Sequence, residues 1–379
     1  MQFAAALSEH PLATQAVGEV VGQVLEQLDR QPDLAVLFVT APHGGALEDI
    51  GRAVRNLLNP RVLIGATAVS VLGGSQEVEG TPGISLFAAR FDVDIEPVRL
   101  EAIPAADQYL VAGGGVLQRD EGTLLLLADP FSFPIDHVLD HLAEVAPNVA
   151  IIGGMASAAR GPGGNVLVAD DELFREGAVG VYLPPEIVVG PVVSQGCRPI
   201  GQPLIVTRSE RNVIYEIAGQ PALDRLNEQI EQLDAVDRQL LSEGLHIGRV
   251  IDERRDQFER GDFLIRGVIG ADRSVGALAV GSEIEPGATV QFQVRDAKSA
   301  DEDLRLMLHG RRAKGALVFT CNGRGMNLFD VPSHDASVVS EQTGGAVAGM
   351  FCAGELGPVG GRNFVHGFTA SIALFGESA

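Results

Sequence analysis

The sequence predicts a mixed α/β fold with largely parallel sheets, built from repeated β-α-β-β units and arranged as two associated domains. The first observation is a pattern that occurs three times: an apolar strand, a loop, an amphipathic helix, a second apolar strand and a glycine turn. Copy one runs from Leu34–Thr40 through EDIGRAVRNLL to Val62–Thr67; copy two runs from Leu124–Asp129 through DHVLDHLAEV to Val149–Gly154. Copy three runs from Ala316–Cys321 through SHDASVVSEQT to Ala346–Phe351. The paired strand starts lie 28, 25 and 30 residues apart, long enough for a helical crossover between parallel strands. The second observation is length, since 379 residues are enough for two or three hydrophobic cores. The third is PPEIVVGP at Pro184–Pro191, which cannot continue a helix or a central strand. It divides the chain into domains at 1–190 and 191–379.

The remaining elements follow from periodicity. QFAAAL at 2–7 predicts a strand, and Leu12, Ala16, Val20, Val21, Val24, Leu25 and Leu28 fall at helical spacing behind Pro11. Ile84–Phe91 and Val179–Leu183 predict strands, the second after the GPGGN loop; AGGGV at 112–116 predicts a loop. GCRPIGQPLIVT predicts extended chain. One long amphipathic helix is expected over 221–243, with Leu223, Leu226, Ile230, Leu233, Val236 and Leu240 as its stripe and Gly244 as its stop. Strands are expected at Phe263–Ile269, Val275–Val280 and Thr289–Val294, the last (TVQFQV) with one buried and one wet face. Ser299-x-x-Glu302 has the spacing of a capping box for a helix ending near Leu308, and Phe364–Phe375 predicts one long closing strand.

Composition narrows the function classes. A net charge of −22 repels phosphate backbones and anionic bilayers, so neither nucleic acid nor membrane is expected as a partner. No run of about 18 apolar residues predicts a membrane helix. The start MQFAAALSEHPL lacks the basic region of a signal peptide. Three cysteines without CxxC spacing argue against a disulfide framework or thiolate zinc site and for a reducing cytoplasm.

Polar residues just past parallel strands gather at one rim of a sheet, where α/β proteins bind ligands. Copy three carries the most distinctive set. Cys321, Asn322 and Arg324 lie in a glycine-flanked loop, and Glu355 follows Gly354 after the partner strand. Arg324 suits a carboxylate and Glu355 an ammonium, so together they suit a zwitterion; the competing reading is an internal Arg324–Glu355 ion pair. Thr67 and Gly154 occupy corresponding places in copies one and two and complete the expected ligand set. Catalysis by Cys321 would require a base, and His334 and His366 are the candidates by position alone. His137 and His141 have the i, i+4 spacing of a two-histidine metal site but lack the Glu of HExxH, so no metal is expected. GRGMNL lacks the third glycine of a dinucleotide fingerprint, and GK[ST] does not occur.

VLIGAT, NVAIIGG, GCRPIGQPLIVT, GQPALDRL, FQVRDA, CNGRG and GMFCAGELGP together resemble the FIST proteins, across nearly the whole chain. These are two-part sensory modules, so the resemblance implies a FIST N-like portion at 1–190 and a FIST C-like portion at 191–379. It further implies an intracellular small-ligand sensor, for amino acids or their derivatives; the alternative reading is a cysteine-dependent hydrolase or transferase using Cys321. Some relatives are haem-based gas sensors. No cofactor is expected here, because no histidine stands out as an axial ligand and 5% of residues are aromatic. Where the family tends toward a GCSTAGE-like string, this chain has GATAVSV. No kinase, chemotaxis or cyclase output is recognisable, so a stand-alone protein that signals through a separate partner is expected.

Overall fold

The computed structural model describes residues 1–105, 108–113, 119–255 and 257–377. They form a mixed α/β structure with seven α-helices among them, in two compact units. One unit comprises Met1–Val193, Leu304–Val365 and the chain from Thr369 onward; the other comprises Ser194–Asp303 with His366–Phe368. The units therefore do not follow the linear division at 190/191, because copy three packs with copies one and two.

Each expected crossover is present. Leu34–Thr40 pairs in parallel with Val62–Ala68, Gly122–Ala128 with Val149–Met155, and Gly315–Cys321 with Ala346–Cys352. The other described pairings are antiparallel, so the expectation of largely parallel sheets is corrected. Each crossover pair is flanked by an antiparallel closing strand: Ile84–Arg90, Ala178–Leu183 and Thr369–Phe375. The sequence pattern recognised the βαβ core of each copy, but the strands around it are joined by hairpins.

Those hairpins are exchanged in a cycle. The copy-two hairpin pairs Leu167 with Ala66 of copy one. The copy-three hairpin pairs Glu355 with Gly154 of copy two, and the copy-one hairpin pairs Val71 with Met350 of copy three. The receiving residues Ala66, Gly154 and Met350 in turn pair with Phe38, Leu127 and Phe319. Leu167, Glu355 and Val71 thus occupy equivalent register positions. The three inner sheet faces share one core, to which Phe38, Ile64, Leu127, Ile152, Phe319 and Met350 all contribute. The outer faces are covered by helices, including Ala13–Gln27 and Leu47–Leu58 over copy one. Ile135–Val145 covers copy two and His334–Thr343 covers copy three. Burial on both faces explains why the opening strands are continuously apolar.

In the second unit, Thr289–Arg295, Leu204–Glu210, Val213–Ile217, Ala277–Val280, Phe263–Asp272 and Leu245–Val250 pair in that order. A further pairing of the last strand with the first closes the ring. Closure leaves no open edge within it. It also explains why TVQFQV is buried along nearly its whole length instead of on one face.

Three element expectations are corrected. The helix expected over 221–243 is two helices, Ala222–Glu231 and Ala235–Glu243. The Asp234 carboxylate accepts from Asp237 N at 2.8 Å and starts the second one. The helix Ala297–Leu308 is capped by Asp296, which accepts from Ser299 N and Oγ, so Ser299 lies inside it and is not its cap. The closing strand is broken into Arg362–His366 and Thr369–Phe375 by Phe368 at φ +63°, a left-handed conformation that ends regular extension. In the AGGGV stretch, residues 114–116 lie outside the described residues.

Candidate functional site

The site is built at the strand ends of copy three. Gly315–Cys321 delivers Cys321, and the turn behind it brings Arg324 back beneath the strand: Arg324 N donates to Cys321 O at 2.8 Å, and Asn322 N donates to Cys352 O at 2.9 Å. Gly325, at φ +56°, is required there, since a Cβ would come within 2.7 Å of both Glu79 and Phe351. Arg324 is completely buried. Its Nε and Nη2 donate to the two oxygens of Asp335 at 2.7 and 2.8 Å, a fork on a carboxylate that is also fully buried. Asp335 further accepts from Thr320 Oγ1 at 2.6 Å and lies 3.0 Å from His334 Nδ1. Burial alone would lift its pKa, but the Arg324 charge and hydrogen bonds hold the carboxyl well below the usual range.

Glu355 enters from the exchanged hairpin, its backbone paired with Gly154. Gly154 is needed for space, because a Cβ would lie 2.2 Å from Cys352 Sγ. Glu355 is also completely buried. Its Oε2 accepts from Thr369 N at 3.1 Å and Thr369 Oγ1 at 2.8 Å. Its Oε1 has no hydrogen-bond partner, and neither has Arg324 Nη1. Burial pushes the Glu355 carboxyl up to about 8, against the opposing pull of Thr369, Arg324 and Cys321. Burial likewise raises the Cys352 thiol, with Glu355 and Cys321 adding to it. Asn322 and Ala353, the residues next to Cys321 and Cys352, are exposed, so this buried cluster lies directly under the surface at the rim.

The expected set is therefore partly assembled. Cys321, Arg324, Glu355, Gly354 and Gly154 converge: Arg324 and Cys321 both act on the Glu355 charge, and Gly354 O accepts from Met155 N beside Gly154. Asn322 borders the cluster from the surface. The Thr67 hydroxyl is engaged by Val166, donating to the carbonyl at 3.4 Å and accepting from the amide at 2.9 Å. Gly65 and Gly153–Gly154 lie within strands and not in turns. Arg324 does pair internally, but with Asp335 and not Glu355, which leaves one nitrogen in place of a bidentate fork for a ligand. Of the proposed bases for Cys321, His334 faces Asp335 and stacks on Phe329, with centroids 3.5 Å apart. His366 belongs to the other compact unit. His137 packs beside Tyr109, with ring centroids 5.8 Å apart.

Sequence reasoning missed Asp335, Thr369, Cys352 and Glu77. Glu77 comes from the copy-one hairpin, and its carboxylate accepts from Ala336 N at 2.9 Å while its own amide donates to Ser333 Oγ. It caps the helix that carries Asp335 from a strand 259 residues away in sequence, which no local pattern reveals. Burial and then Asp335 push it up to about 7. The adjacent pair His334–Asp335 at a helix start, eleven residues beyond Arg324, was the one visible signal.

Comparison with known proteins agrees with this architecture. Residues 33–220 match the FIST N domain and residues 222–358 the FIST C domain. An uncharacterized protein of Mycobacterium bovis, Mb0898c, is 41% identical over 383 aligned residues, covering 99% of each chain. Uncharacterized protein Rv0628c of Mycobacterium tuberculosis is also 41% identical, over 99% of this chain and 100% of its own. With both parts of the domain pair matched and relatives similar from end to end, the chain belongs to the FIST family.

Proposed function

We propose that this protein is a cytoplasmic sensor that binds a small zwitterion, an amino acid or a derivative, at the copy-three strand ends and reports its occupancy to a separate signalling partner. FIST domains are associated with sensing in signal transduction. One observation carries the ligand reading: two fully buried polar atoms of opposite character, Arg324 Nη1 and Glu355 Oε1, have no partner. Each such group costs about 1–3 kcal/mol, and orphaned buried groups in native proteins call for a reason. A ligand carboxylate on Nη1 and an ammonium on Oε1 would satisfy both. Because Glu355 titrates near 8, an arriving ammonium would ionise it and release a proton at neutral pH.

The test is thermal-shift screening of the purified protein against amino acids, followed by calorimetry of any hit in two buffers of different ionisation enthalpy. A ligand should raise the melting temperature and release protons, and Glu355→Gln and Arg324→Lys should each lose the response while remaining folded. Retention of the full response by both folded variants would overturn the reading.

A further inference from the structure

The pairing of copy three places two cysteines side by side. Cys321 and Cys352 are the last residues of neighbouring parallel strands and are register partners. Lateral partners in a sheet project to the same face. Both thiols are buried, Cys352 completely and Cys321 to within 6%. Both interact with the Glu355 carboxyl and with each other. Neighbouring strands lie about 4.8 Å apart, inside the window of about 4.4–6.8 Å between Cα atoms that a disulfide spans. Cys321 is the more accessible of the two, since Cys352 is sealed completely and Cys321 is not. Gly323 N also donates to its sulfur at 3.4 Å, which favours negative charge there.

We propose that Cys321 and Cys352 are a redox pair, a dithiol that small-molecule disulfides such as oxidised glutathione convert into an intrachain disulfide across two strand ends. The Cys321 thiolate attacks one sulfur of the small disulfide; a bond forms between them, and the first small thiolate leaves. The Cys352 thiolate then attacks Cys321 Sγ, forming the intrachain bond and expelling the second small thiolate. Two protein thiols are oxidised, one small disulfide is reduced to two thiols, and the two protons pass to the departing thiolates. The bond would take Cys321 away from Gly323 N and Glu355 and re-aim the loop that carries Arg324. This pair stands apart from the zwitterion reading, because it needs only the two sulfurs.

The test exposes folded, full-length protein to oxidised glutathione, then quenches with acid, counts thiols in denaturant and maps the peptides. Cys197, packed among Val250, Phe263 and Ile265 in the other unit, serves as the internal control. The expected result is a fall from three thiols to one, with a Cys321–Cys352 cross-link that dithiothreitol reverses. Cys352→Ser should stop at one glutathione adduct on Cys321. As a second measurement, phenylarsine oxide, which bridges paired thiols, should bind one equivalent in the wild type and none in Cys321→Ser. Three surviving thiols together with no arsenical binding, or a cross-link that includes Cys197, would overturn the proposal. Neither readout depends on whether an amino acid shifts the melting temperature.

Discussion

Copies one and two tie the polar side chain at the strand end to other segments of the chain, whereas copy three bonds its Cys321 sulfur within its own loop, to Asn322 and Gly323. At the end of the copy-one strand, Thr40 Oγ1 accepts from Gly83 N at 2.7 Å and donates to Gly83 O. At the corresponding point of copy two, the buried Asp129 carboxylate is taken up by Asn165, Ser132 and Phe131 N. In copy three the same place holds the Cys321–Arg324 loop, and the hairpin position filled by Leu167 and Val71 in the other copies holds Glu355. Two carbon side chains and one acid at equivalent, fully buried positions show that this register favours an apolar residue. Glu355 is held there against packing preference.

That contrast can be broken from the strongest expected effect downward. Arg324→Met leaves the Asp335 charge buried without its partner, and stability should fall by about 3–5 kcal/mol, read as a lower urea midpoint by circular dichroism. Gly154→Val forces a side chain into the position of the Cys352 sulfur and should cost about 1–3 kcal/mol; an unchanged midpoint would refute the close approach. Glu355→Leu makes copy three resemble its siblings, but it leaves the buried Thr369 N and Oγ1 without their acceptor, so it should cost about 1–3 kcal/mol while abolishing any ligand response. The weakest effect is expected from Asp234→Ala in the barrel unit, about 1 kcal/mol, seen as faster hydrogen exchange over Ala235–Glu243.

A pH series sharpens the same comparison. Glu355 ordinarily titrates near 4.5 and is raised to about 8 in the fold, so the native state holds the proton that the unfolded chain has lost. Its stabilising effect is complete below about pH 4.5 and is lost as pH rises toward 8. Glu77, raised to about 7, contributes with the same sign over a narrower window. Wild-type stability should therefore decline across this range, and Glu355→Gln should flatten the slope; an unchanged slope would show that the carboxyl is ionised in the native state.

Much of the crossover framework was legible, because strands buried on both faces are continuous apolar runs and the helices of copies one and two have a clear 3.6-residue stripe. The hairpin exchange was not legible, since short strands such as Leu167–Ala169 gain their meaning from a partner a hundred residues away. Arg324 and Glu355 could be singled out as polar residues beside glycines at strand ends. Their true partners, Asp335 and Thr369, could not, because nothing local distinguishes a capping aspartate from one that holds a buried guanidinium. The break at Asp234 shows the same limit on a smaller scale: the hydrophobic stripe runs through it, and only the capping bond reveals the interruption.

The cyclic exchange has a consequence for biosynthesis. As the chain leaves the ribosome, the strand Val149–Met155 has its parallel neighbour long before residues 355–356, which cover its other edge, have been made. A nascent chain of about 300 residues would carry an open, apolar strand edge of the kind that recruits chaperones or aggregates. Premature stops before the copy-three hairpin should therefore yield insoluble protein instead of a soluble N-terminal fragment.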